Sequence, residues 1–216
     1  MRMIHASVSR TKPGRMNDAV GMAAEAGKLL IRHGAESCRL FAAGTAGEST
    51  GTQVFVAEFG SGEAYGVFAD EAEKDHELDL LVERLSREDS PIVMESQALA
   101  TQLLDRPSTS RGRIVEVYIS KALPGRFEAA LELANDVFSF VEAHGAVNTQ
   151  LMMQTAAGSM TDALLATWEF DTMRALGALG DAYMSDPDGL SILQRMTGAE
   201  CPVTTLSSGI YTEIPI

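Results

Sequence analysis

The sequence predicts an α+β protein made of two copies of one unit of about 100 residues. When residues 4–103 are aligned with residues 115–214 at a constant offset of 111, 23 of the pairs are identical, against roughly 7 for shuffled chains. Apolar periodicity also changes from strand-like to helix-like in the same order in both copies. The polar stretch 105–112 contains proline and glycine and is typical of a linker. We therefore expect a first repeat at 1–104, a linker at 105–112 and a second repeat at 113–216.

Each copy opens with a predicted strand followed by a helix. Apolar residues alternate with polar ones in the strand; they are Ile4, Ala6 and Val8 in the first copy and Val115, Val117 and Ile119 in the second. A Pro-Gly-Arg sequence then precedes apolar residues at helical spacing. It occurs at 13–15 and at 124–126, and Gly34 and Gly145 stand where each helix should stop.

Two further strands and a second helix complete each copy. The strands are predicted at 36–44 and 52–59, and at 147–155 and 163–170. The second helix runs from 61 to 84 and from 172 to 195, with a break near Asp75 and Asp186, and a last strand follows Pro91 and Pro202. The order βαββαβ is that of the ferredoxin-like unit. One sheet face of such a unit stays open, so we expect the two sheets to close against each other as an α+β barrel.

The alternation also predicts which strand face points inward. We expect Ile4, Val8, Val117 and Ile119 to lie beneath the helices of their own repeats. His5 and Tyr118 are then expected to face the opposite sheet.

Composition restricts the function. The chain has 17 basic and 30 acidic residues and a net charge of −13, which argues against nucleic acids and anionic membranes as partners. No membrane span or signal peptide is evident. Cys38 and Cys201 are too few and too isolated for a disulfide framework or a metal site. We expect a cytoplasmic protein that binds no metal.

The candidate ligand-binding residues are polar, aromatic or soft side chains that differ between the copies and that the predicted closure would bring into one interior. They are His5, Arg39, Glu116, Tyr118, Gln150, Met152 and Trp168. The lone Trp168 stands opposite Ala57 and should make the space beside the two sheets unequal. The alternative is structural, because buried polar groups need only hydrogen bonds or ordered water. No catalytic residue is assigned.

Other polar residues recur in both copies and favour structural roles. His33 and His144 each precede a glycine at a helix end, where the helix dipole favours a cation. Arg15 and its counterpart Arg126 stand at helix entries. Glu58 and its counterpart Glu169 each end a strand just before a helix, where a carboxylate can help to cap the first turn. A general base is the alternative role for them.

The chain resembles the dimeric α+β barrel superfamily, which includes antibiotic-biosynthesis monooxygenase-like and NIPSNAP-like domains. The resemblance rests on Pro-Gly-Arg at 13–15 and 124–126, and on the Glu-Phe pairs at 58–59 and 169–170 that end the third strands. It spans nearly the whole chain. Many relatives carry a histidine nine residues after that aromatic residue, where this sequence has Phe68 and Leu179.

Three kinds of function are open, and the resemblance implies the first two. The first is binding of a small hydrophobic or aromatic molecule, with cofactor-independent oxygenation or isomerisation if the protein is an enzyme. The second is a haem-binding barrel, which would need an axial ligand from His5, His33, His76 or His144. The third is a structural or regulatory domain without catalysis. We expect no cofactor and a monomer or homodimer.

Overall fold

The structure, a computed structural model, describes residues 1–104, 106, 108 and 110–216 and contains eight strands and six α-helices there. The first half comprises β1 (Met3–Thr11), α1 (Met16–Arg32), β2 (Ser37–Thr45), β3 (Thr52–Phe59), α2 (Gly62–Ala72), α3 (His76–Ser86) and β4 (Ile92–Gln102). The second half comprises β5 (Ile114–Ala122), α4 (Phe127–Ala143), β6 (Val147–Ala156), β7 (Leu164–Phe170), α5 (Met173–Ser185), α6 (Pro187–Thr197) and β8 (Val203–Ile214).

The order of elements is the same in both halves, and the predicted strands and helices are all present. The second predicted helix is two helices in each half, with the break at 73–75 and at Asp186. Within the predicted linker, Asp105, Pro107 and Thr109 lie outside the described residues.

Side-chain caps fix where several helices begin. Ser61 accepts a hydrogen bond from the backbone N–H of Ala64 at 3.0 Å, so α2 starts there. Asp75 accepts from Glu77 N and Leu78 N and thereby starts α3 after a short break. The Asp75 side chain therefore determines where the chain turns from α2 into α3.

All eight strands belong to one antiparallel sheet. Their order is β1-β3-β2-β8-β5-β7-β6-β4, and β4 pairs back onto β1, so the sheet is closed. The two halves meet at two seams, β2 with β8 and β4 with β6. A closed sheet has an interior face and an outer face, and the six helices lie on the outer face.

Apolar side chains fill part of the sheet interior. Ile4, Ala100 and Met152 are buried together there, and Val56 and Leu165 pack against them. The strand-phase prediction was therefore wrong: Ile4 points into the closed sheet, and its neighbour His5 points out toward the helices of its own half. Side chains alternate between the two faces of a strand. On β1, the apolar face that carries Ile4 lies inside the closed sheet.

A partly buried ion network, the Arg39 clasp, joins the two halves beside the β2–β8 seam. It consists of Arg39, Glu169, Glu213 and Gly112. The Arg39 guanidinium donates to Glu169 Oε1 at 2.5 Å, to Glu213 Oε1 and Oε2 at 2.9 Å, and to the Gly112 carbonyl at 2.8 Å. Burial by itself would lower the pKa of Arg39, but the hydrogen bonds that it donates to Glu213 and Glu169 outweigh this effect and hold the pKa above its ordinary value. The guanidinium therefore remains charged inside the protein.

A membrane-spanning helix and a metal site each have a structural requirement that the described part of the chain does not meet. No helix in it is long and apolar enough to cross a membrane. It also contains no cluster of three histidine, cysteine or acidic residues that could hold a metal ion.

Replacement of Arg39 by methionine should destabilise the protein by about 3–5 kcal/mol, because two carboxylates would stay behind without their cation. Chemical denaturation at neutral pH measures the free energy of unfolding. Arg10→Met is the matched control, because Arg10 forms an exposed ion pair with Glu95 and should cost less than about 1 kcal/mol. Equal losses in the two variants would contradict the importance of the clasp.

Candidate functional site

A cavity of about 380 Å³ lies in the first half, between the outer face of the sheet and helices α1, α2 and α3. Strands β1 to β4 form its floor, and the helices supply mostly apolar walls, for example Leu30, Phe68 and Leu81. This volume falls at the lower end of pockets that hold small molecules. The cavity is the candidate functional site.

At two positions of the cavity lining, the first half carries a small residue where the second half carries a tyrosine. Ser7 and Ala72 line it, and their counterparts at the offset of 111 are Tyr118 and Tyr183. Both tyrosines pack against the second half's hydrophobic core. The same backbone frame therefore encloses space in one half and aromatic rings in the other.

His5 projects from β1 into the cavity floor. Its Nδ1 is buried and has no hydrogen-bond partner among the described residues. Its ring lies 6.2 Å, centroid to centroid, from that of Tyr65 on α2. Burial lowers the pKa of His5 from 6.5, so the imidazole is neutral at pH 7 and can accept or donate one hydrogen bond.

Two serines extend the polar strip of the floor along β1. Ser7 and Ser9 retain 9% and 7% of their accessible surface, and both line the cavity. Within the described residues, neither hydroxyl has a side-chain hydrogen bond. Buried hydroxyls normally have a partner, so a ligand or water in the cavity would satisfy them.

The mouth of the cavity is acidic. Glu73 and Asp79 are the charged residues of the lining, and both are exposed. No lysine or arginine belongs to this lining. The cavity thus combines a neutral polar floor, apolar walls and a negatively charged mouth.

Three of the predicted site residues meet in the second half instead. Trp168 Nε1 donates to Glu116 at 2.8 Å, and the Tyr118 ring stacks on Trp168 with centroids 5.3 Å apart. Trp168 also contacts Phe138 of α4 edge to face. Burial raises the pKa of Glu116, opposed by the hydrogen bonds from Trp168 and Tyr118. Tyr118 therefore packs beneath the helices of its own half, contrary to the sequence prediction that it faces the other sheet.

The remaining predicted residues lie in the sheet interior. Arg39 is the centre of the clasp, and Met152 packs with Ile4. Gln150 Nε2 donates to Asn148 Oδ1 at 3.2 Å, and Asn148 Nδ2 donates to Glu169 at 2.6 Å. The predicted set is thus divided among three places: the cavity holds His5, the second-half core holds three residues, and the interior holds three.

The other histidines lie away from the cavity lining. His33 and His144 are the C-cap residues of α1 and α4, as the sequence predicted. His33 Nε2 lies 2.5 Å from Asp75 Oδ2, and His144 Nδ1 lies 2.8 Å from the Phe140 carbonyl oxygen.

Sequence reasoning missed several residues of the lining, namely Ser9, Ala72, Glu73 and Asp79. The signal was available for Ala72, because its tyrosine counterpart is the same kind of large-for-small exchange as Trp168 against Ala57. It was not available for Ser9, whose counterpart is also serine.

Comparison with known proteins places the fold. No family model matches the chain, and no curated protein matches it. Solved structures do match over its whole length. An anthrone oxidase-like protein is 14% identical, with 99% of this chain and 92% of that chain covered and a TM-score of 0.61. A provisionally assigned monooxygenase from Fusobacterium nucleatum is 9% identical, with 99% and 93% covered and a TM-score of 0.59.

A chlorite dismutase variant from Candidatus Nitrospira defluvii is similar as well. It is 9% identical, with 100% of this chain and 91% of that chain covered and a TM-score of 0.57. The neighbours share the dimeric α+β barrel fold. At these identities the similarity shows the fold alone, and chemistry must be argued from the site.

The lowered pKa of His5 predicts a specific pH dependence. Because the folded-state pKa lies below the unfolded value of 6.5, the stability associated with neutral His5 is complete above about pH 6.5 and declines as the pH falls below it. NMR titration of the ring should give a midpoint below 6.5, and His5→Asn should reduce the loss of stability on acidification. A midpoint at or above 6.5 would contradict the burial of this imidazole.

Proposed function

We propose that the protein binds a small apolar or aromatic molecule in the first-half cavity, and that the chain is a fused pair of units of the dimeric α+β barrel type. The observation that carries this proposal is the exchange of Tyr118 and Tyr183 for Ser7 and Ala72 in a repeated frame. A frame that needed only a packed core would serve equally well with aromatic residues in both halves. The small residues leave room for a ligand.

The lining indicates what kind of molecule fits. Apolar walls suit a ring or a short hydrocarbon body, for which burial contributes about 25 cal/mol per Å² of apolar surface. Ser7, Ser9 and the neutral His5 can exchange hydrogen bonds with one or two polar atoms of the ligand at the floor. A compound with an apolar body and a hydroxyl or carbonyl group satisfies both regions.

Proton transfer is the chemistry that His5 can supply. A neutral imidazole accepts a proton from a phenol or an enolisable carbonyl compound held within hydrogen-bond distance. The anthrone oxidase-like and monooxygenase neighbours support this direction. We propose proton abstraction by His5 as the activating step, should the bound molecule be a substrate for isomerisation or cofactor-independent oxygenation.

Haem is the second candidate ligand, because chlorite dismutases are among the neighbours. Of the four histidines, His5 alone belongs to the cavity lining that the described residues form. Haem carries two propionates, and the charged residues of the lining, Glu73 and Asp79, would repel them. The residues present do not fit haem, and we propose a site without it. When haemin is added, we expect no Soret band that depends on His5. A band that appears with the unmodified protein and is lost in His5→Ala would contradict this proposal.

The cytoplasmic location and the monomeric or homodimeric state remain proposals from the sequence. The NIPSNAP-like assignment also remains a proposal, since it rests on the motifs alone.

Filling the cavity tests the proposal. Ser7→Tyr introduces the residue that the second half carries at this position, so the phenol ring should occupy the cavity floor. The probe is 4-phenylbutanol, which has an apolar body and one hydroxyl group. Its affinity, measured by calorimetry, should fall at least about tenfold in Ser7→Tyr, because the new ring takes the space of a ring-sized ligand.

Ser7→Ala is the matched control, because it removes the hydroxyl and keeps the volume. Its affinity should stay within about fivefold of the unmodified protein, the usual contribution of one neutral hydrogen bond. Circular dichroism establishes that both variants are folded. Equal binding to Ser7→Tyr and the unmodified protein would refute the assignment of this cavity.

A further inference from the structure

Two carboxylates stand at the cavity mouth without cationic partners. Glu73 follows α2 directly, and Asp79 lies in the first turn of α3. Neither forms an ion pair with any residue that the structure describes. In contrast, the nearby Asp75 is paired with Arg32 and His33. The negative charge at the mouth is therefore available to a ligand.

The repeated frame does not require these acids. At the offset of 111, the counterpart of Glu73 is Met184 and that of Asp79 is Leu190. Both counterparts are exposed, with 70% and 41% of their surface accessible. The second half thus has apolar residues at the same surface positions. The acids occur in the half that contains the cavity.

Helix stability does not explain Asp79 either. A carboxylate in the first turn interacts favourably with the helix dipole. However, α3 already has Asp75 as its N-cap and Glu77 in the first turn. Asp79 adds a third negative charge to that helix end.

The buried side of the cavity offers hydrogen-bonding groups to a ligand. Ser7 and Ser9 are more than nine-tenths buried, line the cavity and have no side-chain hydrogen bond within the described residues. His5 Nδ1 is also without a partner there. These groups are neutral, so the polarity of the cavity changes from neutral at its floor to negative at its mouth.

We infer that the ligand is a cationic amphiphile, whose apolar body lies beneath α1, α2 and α3 and whose protonated amine lies between Glu73 and Asp79. This inference rests on the proposed function, because it names the ligand class of the same cavity. An ammonium group at an exposed carboxylate gains a modest and salt-dependent attraction. A carboxylate at the same place meets repulsion, so anionic relatives of the ligand are rejected.

Three compounds with one phenylbutyl body test the inference: 4-phenylbutylamine, 4-phenylbutanol and 4-phenylbutyrate. Calorimetry at low salt measures their dissociation constants. The amine should bind about two- to tenfold more tightly than the alcohol, from two exposed carboxylates, and the acid should bind more weakly than the alcohol. In 0.5 M NaCl the three affinities should converge.

A double variant, Glu73→Gln with Asp79→Asn, should abolish the preference for the amine over the alcohol. The matched control is Glu132→Gln with Asp181→Asn, which removes two exposed charges from the second half. If Glu73 and Asp79 cause the preference for the amine, the control variant keeps that preference. If the net charge of the protein causes it, the control loses the preference, and this result would overturn the inference.

The remaining outcomes separate the two proposals. Binding of the alcohol with no advantage for the amine overturns the cationic ligand class and leaves the proposed function standing. Failure of all three compounds to bind, or equal binding to Ser7→Tyr, overturns the proposed function and the inference with it.

Discussion

The closed sheet depends on a buried guanidinium that two carboxylates and a backbone carbonyl share. Arg39 belongs to β2, its partners Glu169 and Glu213 belong to β7 and β8, and Gly112 precedes β5. A buried charge is tolerated only when its partners satisfy it, so the two halves must meet in one register at this seam. Gly112 has no room for a side chain, since a Cβ atom would lie 2.6 Å from the Phe170 nitrogen.

This use of the interior decides where a ligand can lie. Clasp residues and apolar side chains such as Ile4 and Met152 occupy the inner face of the sheet. The candidate cavity is instead on the outer face, beneath the helices. There the two halves need not match, because each half packs its helices on its own strands. The second half packs Tyr118 and Tyr183 against its core, whereas the first half has Ser7 and Ala72 at the equivalent positions, in the cavity lining.

The charges follow the same asymmetry. Both halves are acidic, but carboxylates at equivalent positions have different hydrogen-bond partners. Glu58 is held by Arg111 through two hydrogen bonds of 2.8 Å, and Glu169 is held by the clasp. Burial alone would raise the pKa of Glu58, but Arg111 outweighs it and holds the pKa below 4.5. Glu73 and Asp79 form no ion pair with a residue that the structure describes.

The sequence by itself determined the order of elements and the positions of the helix ends, because these depend on local periodicity and on residues such as Gly34 and Ser61. It also determined that His5 and Ile4 lie on opposite faces of β1. Only the tertiary structure decided which face points inward, since period 2 is the same for both assignments. The physical reason is that closure across two seams fixes the inner face through contacts between residues far apart in the chain, such as Arg39 with Glu213. For that reason His5 lies in the cavity, whereas Arg39, Gln150 and Met152 lie in the sheet interior.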